Sequence, residues 1–326
     1  MASSCPGNLE LLLPITVHRL PLTIFCQAEA KNNIISVLQV CQTNKLMNIH
    51  RTADLHIHTI ASDGTFTPRQ ALEEARRVEL TAISITDHDS IESLPSVISL
   101  APEYGVEVIP GIEISVELDK TEMHLLGYFI DYRDSALLDR LSELRKIRTK
   151  RAEEMLLKLE EMGFPLDMET LLPGQMTGSI GRLHIAHGLL RAGYISSIHE
   201  AFSKYIGNDG PAYVPKLKLD KEEAMEMILH AGGVPVLAHP GQLDRDYMIP
   251  ELIELGLAGL EAFYPSHSRF KTNHYVELAR HYNILATGGS DCHGANKENI
   301  IMGEVRVPYQ IVQELNRIAQ RAESKR

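Results

Sequence analysis

A chain of 326 residues, 44% hydrophobic and 23% charged, is long enough to bury one barrel-sized core with an insertion, or two smaller cores, and its composition is that of an ordinary globular protein. The formal net charge of -11 excludes a broad basic surface that would hold nucleic acid by counterion release. Positive charge for a small anionic substrate must therefore be local, and bound divalent ions would supply it. The four cysteines are too few for a disulfide framework, which makes a reducing cytoplasm the expected compartment.

Residues 1–48 show no clear period, contain Cys5, Cys26 and Cys41, and end near Met47, an alternative start. They read as an extension outside the core, poorly ordered or non-core. The apolar stretch 11–25 is not expected to be a secretion signal or a membrane span. No basic residue precedes it, Glu10 borders it, and Pro14, His18, Arg19 and Pro21 interrupt it.

From residue 52 apolar runs at 53–57, 82–86, 106–113, 124–130, 234–238, 257–263 and 284–288 read as buried strands. Helical periods fall between many of them, at 68–79, 220–231 and 271–282. Thr67 before Pro68 and Asp220 before K-E-E are expected caps. Strand-helix alternation implies an α/β barrel or a doubly wound sheet. Residues 131–215 break the alternation. Segment 135–162 carries an apolar helical face (Leu137, Leu138, Leu141, Leu144, Ile147, Met155, Leu159, Met162), and further helices are expected at 182–192 and 197–206. The expected organisation is a barrel split into 49–133 and 217–326 by a helical cap at 134–216.

Nine imidazoles and carboxylates stand mostly at the ends of the strand runs: His56 and His58 in H-I-H, Asp63 in S-D-G, His88 in T-D-H-D, Glu113 in G-I-E, His124 in M-H-L, His239 in A-H-P-G, and Asp291 with His293 in S-D-C-H-G. These are the donors of Zn, Mn and Fe sites, and they are too many for one ion. A multinuclear metallohydrolase is expected. Five or more strands contribute, which favours a barrel, where strand ends converge on one axis. His124 begins its run, so its strand is expected to run antiparallel or to enter from the rim. Histidines two apart on a strand project to one face. Cys292 then points away from Asp291 and His293 and reads as a buried, inert thiol. Asp87 and Asp89 read as carboxylates that orient His88 rather than ligands. The run R-K-I-R-T-K-R at 145–151 reads as a solvated helix face from which Arg148 or Arg151 reaches the site. Lys216, Tyr264 and His267 are weaker substrate-binding candidates, and the other histidines read as structural.

The order of these motifs resembles the PHP family, named for polymerase and histidinol phosphatase, across residues 52–310. The helical insertion with G-R-x-H (Gly181, Arg182, His184) resembles its small bacterial phosphoesterases that act on nucleoside 3',5'-bisphosphates and short RNA 5' ends. The resemblance implies a distorted (β/α)7 TIM-like barrel with up to three divalent ions at its mouth. His56, His58, Glu113 and Asp291 would hold one ion. Glu113, His124 and His239 would hold a second, with Glu113 as the bridge, and Asp63, His88 and His293 a third. Some family members have histidine where Asp63 stands, so Mn or Fe is expected over Zn. Catalysis would run through Glu113, Asp291 and His239 by way of the ions, since a water shared by two of them is acidified toward roughly neutral pH. Arg182, His184, Arg148, Lys216 and His267 are the expected substrate contacts. The implied reaction removes the 3'-phosphate of a nucleoside 3',5'-bisphosphate, with trimming of short RNA from its 5' end as a variant. Histidinol-phosphate or AMP phosphatase is the alternative in the same class. An amidohydrolase-type barrel and a non-catalytic polymerase-associated module are the remaining readings. The substrate is expected to be a small phosphorylated molecule, and neither a membrane nor a stable protein partner is implied.

Overall fold

The computed structural model describes residues 51–118, 121–171, 180–215, 219–296 and 301–324. The expected extension 1–48 and the candidate Lys216 lie outside these residues. The chain divides into the units Met1–Met47 and Asn48–Arg326, and every described residue belongs to the second. No described helix is long and apolar enough to cross a membrane.

The elements in chain order are β1 (Thr52–Ile57), α1 (Pro68–Arg77), β2 (Ala82–Ile85), α2 (Leu94–Tyr104), β3 (Glu107–Leu118), β4 (Thr121–Tyr128), α3 (Ser135–Glu161), α4 (Met168–Leu171), α5 (Arg182–Arg191), α6 (Ile198–Ala201) with a π turn at Phe202–Ile206, α7 (Lys221–His230), β5 (Val234–Leu237), α8 (Pro240–Leu243), α9 (Ile249–Glu254), β6 (Gly259–Phe263), α10 (Arg269–His281), β7 (Leu285–Gly288), β8 (Val307–Pro308) and α11 (Tyr309–Glu323). The expected caps form: Thr67 and Gln70 make a reciprocal box at α1, and Asp220 accepts the Glu223 N–H at 2.8 Å.

The sheet order is β7-β6-β5-β4-β3-β2-β1-β8. β1, β2 and β3 run parallel, as do β5, β6 and β7. β4 runs antiparallel to both β3 and β5, one of the two arrangements expected for the run begun by His124, and it starts three residues earlier than that run, at Thr121. The seam is nearly closed by the segment after β7. His58 N–H donates to Cys292 O at 2.9 Å, and Cys292 N–H donates to His56 O at 3.3 Å. The result is a nearly closed, barrel-like sheet of eight strands. The eighth, antiparallel to β1, is only two residues long, too short to carry a period. α2, with Pro102 inside it, and α11 have no counterpart among the expected helices. α11 packs Val312, Leu315 and Ala319 into a cluster with Ala53, Leu55, Val234 and Val236.

α3 belongs to two cores. Leu137, Leu141 and Leu144 join the barrel cluster. Ala152, Met155, Leu156 and Leu159 join a separate cluster with Leu171, Ile185, Leu189 and Ile206. The helix is thus a strut of 27 residues, about 40 Å long, that carries a helical core beside the barrel. Leu138, expected on the apolar face, is 44% exposed.

Candidate metal centre

Parallel strands deliver their C-terminal residues to one mouth, and the candidate donors gather there. His56 and His58 alternate with Leu55 and Ile57 on β1, so both rings share a face. Their Nε2 atoms stand 3.1 Å apart. Each is 3.2 Å from Glu113 Oε2, and Asp291 Oδ1 lies 3.5 Å from His56 Nε2 and 3.1 Å from His58 Nε2. The other Glu113 oxygen faces different partners: Oε1 is 2.9 Å from His124 Nδ1 and 3.2 Å from His239 Nε2, and those two nitrogens are 3.3 Å apart. A third group forms around Asp63, whose Oδ1 is 3.2 Å from His293 Nε2 and 3.6 Å from His58 Nδ1, with His88 Nε2 4.0 Å from Oδ2. His88 Nδ1 also stands 3.1 Å from Glu113 Oε2. Seven of the nine expected donors form overlapping groups that could hold a metal ion, and Asp291 and His239 lie against them.

The donor set fits divalent cations. His56 Nδ1 lies 2.9 Å from Glu261 Oε1, and the hydrogen bond to that carboxylate places the ring proton on Nδ1. The Nε2 lone pair then faces the His58 ring nitrogen and two carboxylates. His293 likewise gives its Nδ1 proton to Asp291 O at 2.9 Å and turns a bare Nε2 toward Asp63. Converging lone pairs repel unless a cation lies among them. Atoms bound at about 2.0–2.2 Å to one ion stand about 3.0–3.5 Å apart, the spacing seen here. The buried His88 Nδ1 faces Glu113 Oε2 at 3.1 Å, and the buried His124 Nε2 faces Glu122 Oε1 at 3.5 Å.

The charge pattern agrees. Burial disfavours every charged group here, yet the surrounding histidines hold Glu113, Asp63 and Asp291 well below the usual carboxylate range. Burial would also lower His58 and His124. Asp291 and Glu113 nevertheless raise His58 to about 9, and Glu113 with Glu122 raises His124 to about 10. Burial dominates at His88, which falls to about 3. The carboxylates thus demand positive charge, from protons or from metal.

A frame of buried polar groups holds the donors. Asp87 accepts from Thr59 N–H and Oγ1–H, Ser62 Oγ–H and Ser93 Oγ–H at 2.6–2.7 Å, which uses its oxygens on the loop leading to Asp63. Asp89 accepts the Ser115 N–H and the Arg148 guanidinium. Asp54 accepts Ser290 N–H and Gly303 N–H, both at 2.8 Å. Tyr264 donates to Asp291 Oδ2 at 2.8 Å, so its role is to orient that carboxylate. His239, Asp291 and Asp89 take positive φ values of 27°, 50° and 46°, strain on the order of 1–3 kcal/mol each that the frame sustains.

Glu261 joins this frame, and like Asp54, Thr59, Ser62 and Ser93 it was missed from the sequence. It is fully buried, and besides His56 it accepts the His239 N–H through Oε2 at 2.8 Å. The available signal was a lone carboxylate inside the apolar run L-A-G-L-E-A-F. Close approach matters at Gly289, where an added Cβ would lie 2.3 Å from His56 Cβ and 2.4 Å from its backbone nitrogen. Gly289→Ala is expected to lower stability by about 1–3 kcal/mol through overpacking and to weaken metal retention. Denaturant titration with metal analysis checks both, and an unaltered variant would show that β1 yields at no cost.

A pocket of about 170 Å³ opens beside the donors, lined by Asp63, His88, Ser115, Glu122, His124, Arg148, Arg151, Gly181, Arg182, Leu183 and Phe202. Arg148 and Arg182 are where the sequence reading expects substrate contacts. Arg148 also bonds Ser115 Oγ at 3.0 Å, and Arg182 bonds Asn208 Oδ1 at 2.8 Å over the Phe202 and Tyr213 rings. His184 stands outside the pocket wall. Its Nδ1 accepts Gly181 N–H at 3.1 Å, which spends that nitrogen on the start of α5. His267 corrects an expectation. Nδ1 bonds Ala262 O at 2.9 Å and Nε2 accepts Gly241 N–H at 3.2 Å, so both nitrogens serve the backbone and neither is left for substrate.

A barrel mouth with this donor set and flanking arginines defines a metal-dependent hydrolase of anionic substrates. Comparison with known proteins narrows the class. Residues 54–243 match the PHP domain. A phosphoribosyl 1,2-cyclic phosphate 1,2-diphosphodiesterase of Eggerthella lenta is 31% identical over 245 residues, 74% of this chain and 94% of the relative. A 3',5'-nucleoside bisphosphate phosphatase of Chromobacterium violaceum is 31% identical over 249 residues, 74% and 86% of the two chains. The 5'-3' exoribonuclease Rnm of Salmonella typhimurium is 30% identical over 247 residues, 74% and 84%. A solved structure from Bifidobacterium adolescentis, described as a metal-dependent phosphoesterase, superposes with a TM-score of 0.75 at 28% identity, covering 82% of this chain and 96% of that one. The chain belongs to the PHP family of metal-dependent phosphoesterases.

Proposed function

We propose that the protein removes the 3'-phosphate of nucleoside 3',5'-bisphosphates, with short RNA 5' ends as a further substrate. His56, His58, Glu113 and Asp291 would hold one divalent ion, Glu113, His124 and His239 a second, and Asp63, His88 and His293 a third. The observation that carries this reading is Glu113, whose two oxygens face two separate histidine groups, the arrangement of a bridging carboxylate. Divalent ions held there supply Lewis acidity toward phosphoryl oxygens and acidify water at neutral pH.

The rest is the work of the chain's own residues. Arg148, Arg151 and Arg182 face the donors across the pocket and offset negative charge on the phosphates, where phosphoryl transfer needs it. Leu183 and Phe202 give the pocket an apolar wall against which a sugar or base can lie. In this reading segment 134–216 is an inserted cap that sets specificity. The setting is the cytoplasm, in keeping with the buried free thiol of Cys292. Support for nucleotide substrates comes from the relatives named above, two of which are described by nucleotide or RNA activities.

Phosphate release from adenosine 3',5'-bisphosphate, AMP, histidinol phosphate, a ribose 1,2-cyclic phosphate and a short 5'-phosphorylated oligoribonucleotide decides the substrate. The bisphosphate is expected to be turned over with the highest kcat/KM, and preference for histidinol phosphate or the cyclic ester overturns the reading. Metal loading has its own signature. Metal-free His58 and His124, raised to about 9 and 10, carry protons at pH 7 that ligation must displace, so metal uptake releases protons and tightens as pH rises toward those values. Calorimetry in two buffers of different ionisation enthalpy reads this release, and a proton count of zero rules it out.

A further inference from the structure

Two rim segments carry features that the phosphate chemistry leaves unused. Of the four large apolar side chains exposed among the described residues, the two aromatic ones are Tyr247, 74% exposed, and Phe270, 81% exposed. Tyr247 follows β5 and α8, just beyond His239. Phe270 stands in the first turn of α10, just beyond β6 and Tyr264. Both segments leave the C-terminal ends of neighbouring parallel strands, the end of the sheet at which the metal donors lie.

Side-chain bonds fasten the two segments together. Asp246 lies 2.6 Å from His274 Nε2 and accepts from Tyr275 Oη–H at 3.1 Å. Lys271 donates to Gly241 O and stands 3.3 Å from Asp244 Oδ1. Phe270 and His274 share a helix face one turn apart, and His274 holds Asp246, the residue preceding Tyr247, so the Tyr247 segment is fastened to the helix that carries Phe270. These contacts occupy Asp244, Asp246 and Lys271. Among the described residues the adjacent Arg245 and Arg269 make no ion pair, which leaves the surface aromatic and basic.

The surface is also tied to the metal centre. Gln242 donates to Tyr264 Oη at 2.9 Å, and Tyr264 donates to Asp291 at 2.8 Å. Gln242 and Tyr247 are five positions apart in the chain, so their Cα atoms lie within about 18 Å, a span covered by the first few nucleotides of a strand.

We propose that Tyr247 and Phe270 form a stacking platform for the bases of a single-stranded nucleic acid whose terminal phosphate lies at the metal centre, with Arg245 and Arg269 against its backbone. The inference rests on the nucleotide reading of the site and adds a strand-binding surface to it. Stacking suits a chain with a net charge of -11, because it draws on the π-faces of the bases rather than on counterion release. Salt dependence should accordingly be shallow, set by two arginines. A nucleoside bisphosphate ends at the metal centre, whereas a strand continues past it, so the platform serves strands alone.

The test uses the metal-loaded full chain and a 5'-phosphorylated tetraribonucleotide with hydrolysis-resistant linkages and 2-aminopurine placed at each position in turn. Stacking quenches the fluorophore at one or two positions. The double variant Tyr247→Ala/Phe270→Ala is expected to abolish that quenching and raise Kd by about 10- to 100-fold. Tyr247→Phe keeps the quenching, and the double variant keeps wild-type turnover of the nucleoside bisphosphate. Unchanged quenching and Kd in the double variant overturn the platform. Failure of the wild type to release phosphate from any nucleotide overturns instead the reading on which it rests, and the two failures are read by separate assays.

Discussion

Replacing Glu113 with alanine is expected to reduce phosphoesterase turnover by on the order of a thousandfold or more, because the loss of ligated metal removes several kcal/mol of transition-state stabilisation. Its carboxylate stands against five of the other candidate donors. Its Oε2 stands against His56, His58 and His88, and its Oε1 against His124 and His239. Glu113→Gln separates the bridge from mere bulk. The amide keeps one ligating oxygen but turns an N–H₂ donor toward the other histidine group, so one ion is expected to stay and its neighbour to leave. Elemental analysis of metal per chain, alongside phosphate release, checks this. Full metal content and normal turnover in Glu113→Gln would remove the bridging role.

Glu261→Gln is the second substitution with a large expected effect, and it reaches the metals only through other residues. One oxygen holds the proton of His56 on Nδ1, and the other accepts the His239 N–H. An amide cannot do both. With its oxygen on the His239 backbone, its N–H₂ faces His56 Nδ1 and drives the imidazole proton to Nε2, the atom that must face the metal. With the opposite orientation, two donors meet at His239. Either way metal affinity should fall about 10- to 100-fold, as is usual for partners that orient metal-binding histidines. Chelator competition measures it. A purely structural role predicts a lower melting temperature with unchanged affinity in the folded fraction, and that result would contradict positioning.

The nine candidate donors were legible as a set because most follow a local rule, although Glu113 and His124 prove to lie inside their strands rather than at an end. A strand ends, its last residues face the mouth, and H-x-H places two rings on one side. The position of His124 at the start of its apolar run pointed to a reversed strand or an entry from the rim, and β4 is reversed. Glu261 was not legible, since nothing in L-A-G-L-E-A-F announces a partner on β1 more than two hundred residues earlier; its meaning is a contact rather than a pattern. His267 failed for the same reason in the opposite sense. It looked like a site histidine after a strand, and tertiary contacts with Ala262 and Gly241 spend both of its nitrogens.

The sequence by itself determined the alternation of strands and helices, the caps at Thr67 and Asp220, the interruption by a helical segment and the donor set at the strand ends. All of these are set by side-chain period and by neighbours a few residues apart. Only the tertiary structure decided that Glu113 turns its two oxygens to different histidine groups, that α3 divides its apolar face between two cores, that Arg148 is held by Asp89 at the pocket wall, and that Asp246 is bonded to α10. Those outcomes depend on the closure of the sheet, which brings together residues from β1 to β7, and no local spacing encodes which of them will meet.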